Sequence, residues 1–327
     1  MPAPTAAPPA AAPAVYCVSV GLGLLSFSGP DAEGFLQGQL SNDLKALAPG
    51  AIQLSSYNSP KGRMLATLAL WRSGDDSFFA LVAADIAPST ARRLSLFVLR
   101  AKVVVADLSP SRALIGIGGA GARAAARAAT GVAPDAGHVA VGDDATTIAL
   151  PDGRILVAAT QARAAALRAR LAEEAAEISP DAWRWLGIRA GVPMIGAATQ
   201  DLFVPQTANW DLLDGVSFHK GCYTGQEIIA RTQYLGRLKE RMHLFHVDAP
   251  PPPPGARLFG AVFGDQACGA VVDAAPAPDG GSDLLAVVQL SALDAILHVG
   301  TLDGPALAPL ALPYALPPAI APNRPRV

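Results

Sequence analysis

Five consecutive prolines at residues 250–254 constrain the folding of this 327-residue chain more than any other feature. Proline fixes φ and lacks an amide hydrogen, so neither a helix nor a central strand can run through them. They mark a boundary. Beyond them, apolar runs near 257–263, 268–273, 284–290 and 295–299 are short and separated by Gly, Asp and Pro. That rhythm predicts a small antiparallel β-barrel over 255–327. The whole chain exceeds the usual size of one hydrophobic core, so two or three domains are expected.

Upstream, strand and helix patterns mix. Residues 15–20 alternate loosely and start a sheet. Ser28-Gly29-Pro30-Asp31 opens a helix that turns Phe35, Leu36 and Leu40 inward, with Pro30 suited to its first turn and Asp31 to its positive end. Residues 51–57 and 63–71 read as strands around a turn at 58–62. Residues 78–82 form a third strand, 86–99 a helix and 102–106 a further strand. A second lobe over about 110–178 follows: a strand at 113–117, an alanine-rich helix to about 129, a hairpin of 144–150 and 154–159, and a helix over 161–177. The order predicts an α+β region over 15–248. Glycines 116, 118, 119 and 121 lack the spacing of a dinucleotide fingerprint. A helix starts at Ser179. The irregular stretch at 191–221 is long enough to be functional, and Phe203 and Trp210 within it favour an ordered site wall. A helix from Gln226 and a strand over 238–247 complete the region.

Composition narrows the function. Hydrophobic residues make up 51% and charged ones 16%, which permits large cores. The net charge of -2 gives no support for nucleic-acid binding through phosphate contacts. Cys17, Cys222 and Cys268 are widely spaced, without a C-x-x-C pair. A zinc site or four-thiolate cluster held by one chain is therefore not expected, and the low count fits a reducing compartment. Residues 1–14 are almost all Ala and Pro after Met1 and read as a disordered arm without signal-peptide character. No apolar run reaches bilayer length. The expectation is a cytoplasmic protein without a membrane partner or metal site.

The richest chemistry lies in Lys220-Gly221-Cys222-Tyr223-Thr224-Gly225-Gln226-Glu227. It reads as a tight turn feeding a helix. Thr224 suits the N-cap, and Glu227 three residues on completes a capping box. Gly221 and Gly225 allow positive φ. The helix start and Lys220 would both favour a thiolate at Cys222. A capped helix beside an inert, buried cysteine satisfies the same local pattern, and both readings stay open.

This string, with Arg231 and Tyr234-Leu235-Gly236-Arg237 after it, resembles the signature of the YgfZ family, folate-binding proteins related to the glycine-cleavage T-protein, an aminomethyltransferase. Three further blocks carry the resemblance: Phe35-Leu36-Gln37-Gly38-Gln39-Leu40-Ser41-Asn42-Asp43, Tyr57-Asn58-Ser59-Pro60-Lys61-Gly62-Arg63, and Val204-Pro205-Gln206 with Asn209-Trp210-Asp211. It implies two α+β lobes of aminomethyltransferase-like folate-binding fold followed by the barrel. It also implies a protein that binds tetrahydrofolate or a one-carbon derivative and assists iron–sulfur cluster assembly. Its partners would be assembly proteins or client enzymes, tRNA-modifying ones included.

A folate site needs an aromatic slot, convergent polar groups and a cation for the anionic tail. Tyr57, Trp71, Trp210 and Tyr223 are candidates for the slot. Asn42, Asn58, Gln206, Gln226 and Glu227 are the polar candidates. Lys61, Arg63, Lys220, Arg231 and Arg237 could meet the tail, and Cys222 is the candidate reactive thiol. One departure bears on enzymology. T-proteins carry paired aspartates in the second strand of the 58–62 hairpin, and Ala66 and Thr67 fill those places here. Neither can accept a proton or balance a developing cation. Folate binding is thus better supported than methylene transfer. A true aminomethyltransferase and an RNA-binding regulator of tRNA modification are the rival readings.

Overall fold

The computed structural model describes residues 13–142, 144–234 and 238–317. They divide into two units, one from Met1–Val20 and Ser111–Trp183, the other from Gly21–Pro110 and Arg184–Val327. The arm expected over residues 1–14 lies outside the described residues as far as residue 12, and Ala14 is already buried.

In the larger unit, alternating apolar residues build a five-stranded antiparallel sheet. Its order is Ile52–Asn58, Met64–Gly74, Ser77–Ala83, Leu22–Ser28, Val104–Asp107. Helices Ala32–Gln39 and Ala87–Ser95 contribute Leu36 and Leu94 to a core with Leu25, Phe27, Leu68 and Phe78. Asp31 stands at the N-cap of the first helix, but its carboxylate accepts from the Lys102 amide at 2.7 Å. The strand Leu22–Ser28 carries two serines and a glycine in seven residues, weak strand formers that hid it from the sequence pattern.

The same unit holds a closed six-stranded antiparallel barrel around Phe245, Leu258, Val271, Leu284 and Leu297. Its first strand is Glu240–Val247, upstream of the prolines, and not a segment beyond residue 255. That strand pairs over its full length with Ser282–Gln289. The prolines therefore form a connection inside the barrel. Residues 184–189 of the helix Pro180–Arg189 fasten onto the barrel through two buried carboxylates. Asp273 accepts from Arg184 Nε at 2.6 Å, and Asp283 accepts from Trp185 Nε1 at 2.8 Å. Burial pushes the Asp273 carboxyl up, and the Arg184 guanidinium opposes it.

The smaller unit has a six-stranded sheet in the order Ala176–Glu177, Val15–Cys17, Arg112–Gly118, Ile155–Thr160, Ala145–Ala149, His138–Val141. Helices Ala122–Thr130 and Gln161–Glu174 supply Ala126 and Leu167 to a core with Ile115, Ile117 and Val157. The second helix stops before 176–177 because those residues pair in parallel with Val15 and Tyr16. No helix among the described residues is long and apolar enough to cross a membrane.

Candidate functional site

The turn after Asn58 and the loop after Lys220 meet backbone to backbone. Gly62 and Gly225 have φ of +70° and +82°. A Cβ on Gly225 would lie 2.4 Å from the Ser59 carbonyl oxygen and 2.8 Å from Gly62 Cα. A Cβ on Gly62 would lie 2.9 Å from Ile228 Cβ. Glycine is required at both positions by conformation and by contact.

Lys220 reaches away from this junction. Its side chain is almost wholly buried, and Nζ donates to the carbonyls of Gln37, Leu40 and Asn42 at 2.7, 2.7 and 2.8 Å. An ammonium has three donors, so all are committed. The acceptors lie at and just beyond the C-terminal end of the helix Ala32–Gln39, where carbonyls lack helical partners. Burial lowers the ammonium to about 8, opposed by the Asp43 carboxylate. Lys220, expected to meet a ligand's tail, instead joins two segments of the protein.

The other motif blocks converge through polar contacts. Ser41 Oγ donates to the Gly215 carbonyl at 2.6 Å, and the Ser41 carbonyl accepts from the Ser217 amide at 3.0 Å. Asn42 Nδ2 donates to Leu54 O and Asp214 O at 2.7 and 2.6 Å. Ser59 Oγ donates to Asp201 Oδ1 at 2.6 Å, while Met64 N donates to Phe203 O at 2.8 Å. Gln206 Nε2 donates to Ile229 O at 2.8 Å. Arg241 grips Asp211 with two bonds of 2.6 and 2.9 Å. Asp201, Asn209 and Asp214 hold φ of 59°, 59° and 55°, in the left-handed region that Asn and Asp adopt more readily than other side chains.

The predicted site residues separate into two groups. Tyr57, Asn58, Trp71, Gln206 and Trp210 are core residues. Asn58 Oδ1 accepts from Ser56 Oγ at 3.1 Å, and neither Tyr57 nor Trp210 offers a ring face to solvent as a slot would need. Tyr223 is 8% exposed, and burial pushes its phenol up. Asn42 spends its amide internally, and Arg63 Nη1 donates to the Leu202 carbonyl. The exposed group is Cys222, Glu227 and Arg231, with Gln226 half-buried beside them. Arg237 lies outside the described residues.

The helix start is shifted from the expected capping box. The helix is Gln226–Tyr234, and the Gly225 carbonyl accepts from the Ile229 amide at 3.4 Å. Gly225 therefore occupies the N-cap, not Thr224, because the close approach to Ser59 fixes the turn there. Ala66 and Thr67 are both buried, and Thr67 Oγ1 accepts from the Ile195 amide at 3.2 Å. Sequence reasoning missed Ser41, Ser59, Asp201 and the Asp211–Arg241 pair as organisers of the site. Their bonds span 30 to 174 residues, beyond any local signal.

An α+β sheet unit with a closed antiparallel barrel, carrying a glycine-bearing turn against a hairpin, is the architecture of aminomethyltransferase-like proteins. The GCVT N-terminal domain family matches residues 18–141. The crystal structure of glycine cleavage system aminomethyltransferase T from Bartonella henselae superposes with a TM-score of 0.74, covering 93% of this chain and 86% of that one. At 18% sequence identity that likeness is one of fold. The chain is 34% identical over 300 residues to tRNA-modifying protein YgfZ of Serratia proteamaculans (strain 568), covering 90% of each. It is 31% identical over 299 residues to the protein of that name in Sodalis glossinidius (strain morsitans), again 90% of each. The chain belongs to the YgfZ family.

Proposed function

We propose that this chain is a cytoplasmic, tetrahydrofolate-binding accessory protein that assists iron–sulfur cluster assembly or repair. Through that role it affects cluster-dependent enzymes, tRNA-modifying ones among them. The observation that carries the reading is a contrast. Cys222 stands exposed on the glycine-bearing turn, whereas Ala66 and Thr67, at the positions of the transferase carboxylates, are buried and Thr67 is bonded to backbone. The YgfZ turn is present, and the acid–base groups of the transferases are replaced.

The exposed residues support a contact with one end of a folate. Glu227 and Arg231 lie one helical turn apart, so they share a side of the helix. Neither has a partner among the described residues. Within the reach of one helical turn they can meet one end of the ligand: the guanidinium suits the anionic glutamate tail, with Gln226 and Glu227 as polar neighbours. When bound, tetrahydrofolate or a one-carbon derivative would supply carriage of a one-carbon unit. The protein's part is to hold the folate and keep the thiol open to a client. The relatives' name, tRNA-modifying protein, supports a link to tRNA modification. Direct RNA binding has less support, because the net charge is -2 and Arg241 is committed to Asp211.

The test is a deletion strain assayed for an iron–sulfur hydratase. Activity should fall, return with the wild-type gene and stay low with Cys222→Ser. Unchanged hydratase activity in the deletion strain would remove the assembly role. The purified protein should release no ammonia from an aminomethylated carrier protein, and turnover above a heat-killed control would favour the transferase.

A further inference from the structure

The helix Ala87–Ser95 runs into tight turns that present apolar side chains to water. Leu96, Phe97, Leu99 and Val104 are all exposed, Leu96 at 71% and Leu99 at 86%. Val98, Val103 and Val105 pack against the core instead. The inward positions are thus filled, and the other four face out. Single exposed leucines are ordinary, but several large apolar groups on one short segment mark an interaction surface. Leu99 also has φ of +48°, a left-handed conformation unfavourable for a bulky side chain. The Ala101 amide, donating to the Val98 carbonyl at 2.8 Å, closes the turn that holds it there.

The charge around these groups has one sign. No acidic residue occurs from Ile86 to Ala106, whereas Arg92, Arg93, Arg100 and Lys102 do and are exposed. Arg93 lies beside the Tyr57 phenol, which burial pushes up and the guanidinium opposes. The side chains of Arg92, Arg100 and Lys102 form no ion pair among the described residues. The carboxylates nearest in the chain accept elsewhere: Asp85 from the Ala197 amide at 2.9 Å, Asp107 from the Ser109 amide at 2.9 Å. Asp31 accepts from the Lys102 amide at 2.7 Å and offsets one of the cations. Asp75 and Asp76 belong to the hairpin two strands away, beyond Leu22–Ser28. The chain as a whole carries -2, so this cationic face stands against the overall balance.

We propose that this segment attaches the protein to an anionic bilayer surface. Leu96, Phe97 and Leu99 enter the boundary between headgroups and acyl chains, and Arg92, Arg100 and Lys102 meet the anionic headgroups. Charge complementarity selects an anionic partner, and shape selects a membrane. Leucines that stand this clear of their neighbours form a projection, whereas a groove for a partner's helix holds its apolar groups in its walls. Lipid accepts a projection without a matching pocket. The expectation of no membrane partner rests on the lack of a spanning run, which surface attachment does not require. The segment contributes none of the residues assigned to folate.

Co-sedimentation of the full chain with lipid vesicles tests this. One set holds equal parts of phosphatidylcholine and phosphatidylglycerol, the other phosphatidylcholine alone. Binding to the mixed vesicles should be saturable and about tenfold tighter or more, since each cation near an anionic leaflet contributes about fivefold. Replacing both leucines, Leu96→Ser with Leu99→Ser, should weaken it about tenfold or more without lowering the melting temperature. Arg92→Gln with Arg100→Gln should weaken binding to the mixed vesicles and reduce its salt dependence. The proposal is overturned if the chain does not bind the mixed vesicles, if both vesicle types bind equally, or if the leucine variant binds like wild type. Transfer RNA bound through Arg92 and Arg100, with no vesicle binding, would assign the face to nucleic acid and overturn it too. Should the double leucine variant fail to fold, Leu99→Ser decides alone.

Discussion

Lys220 Nζ lies 2.7 Å from the carbonyl oxygen of Leu40, across 180 residues of sequence. With Gln37 and Asn42 as its other acceptors, this buried ammonium ties the glycine-bearing loop to the end of the first helix. The family's most basic-looking ligand candidate is a strut. In the proposed reading the ligand-facing roles fall to residues further along the loop and helix.

Lys220→Met should therefore destabilise the protein. It leaves three carbonyls without their donor, and each buried acceptor left unsatisfied costs about 1–3 kcal/mol, less what entering water recovers. For domains of this size, a loss of 1 kcal/mol lowers the melting temperature by about 2–4 °C. Arg231→Ala, at an exposed position, should leave melting nearly unchanged. Scanning calorimetry of both variants checks the contrast, and early melting of Arg231→Ala alone would reverse the assignment.

The same lysine predicts a pH dependence. Its ammonium is lowered from 10.5 to about 8 by burial. Below the folded value both folded and unfolded chains hold the proton. Between the folded and unfolded values only the unfolded chain holds it. The unfolded state then binds more protons, so stability from this group rises with pH through that window and is lost as pH falls through about 8. Denaturant titrations between about pH 7 and pH 10 should show the difference between wild type and Lys220→Met growing with pH. A flat or falling difference would contradict the burial argument.

The two motif glycines should respond in opposite ways to alanine. Gly225→Ala introduces a Cβ against Ser59 O and Gly62 Cα at positive φ. The left-handed conformation alone costs about 1–2 kcal/mol, and the overlap adds to it. Gly221 has nothing within 4 Å of its Cβ position, so Gly221→Ala should melt like wild type. Equal melting of the two variants would show that the hairpin and the loop are not held in this contact.

Thiol chemistry should single out Cys222. Cys17 and Cys268 are each 1% exposed, and burial pushes both thiols up. Alkylation of the native protein at neutral pH, read by mass spectrometry, should label Cys222 first and reach the others only on unfolding. Faster labelling of either buried cysteine would refute this.

Turn chemistry was the most legible part of the fold. The turn between Asn58 and Met64 follows from its proline and glycine, and the barrel from short strands separated by breakers. The direction of long side chains was not legible. Nothing local tells that Lys220 points at a helix end while Arg231 points outward. Burial of Tyr57 and Trp210 was equally hidden, since a slot aromatic and a core aromatic share one composition. The capping box failed for a related reason. Thr224 and Glu227 have the right spacing, but the contact between Gly225 and Ser59, residues distant in sequence, sets where the helix begins.

Calorimetric titration with tetrahydrofolate, on wild type and Arg231→Ala, tests the central claim most directly. Saturable binding is predicted for wild type. Arg231→Ala should weaken it by about 1.5–3 kcal/mol, the worth of a hydrogen bond to a charged group, without a matching change in melting. Absence of saturable binding by the folded wild-type protein would contradict the account.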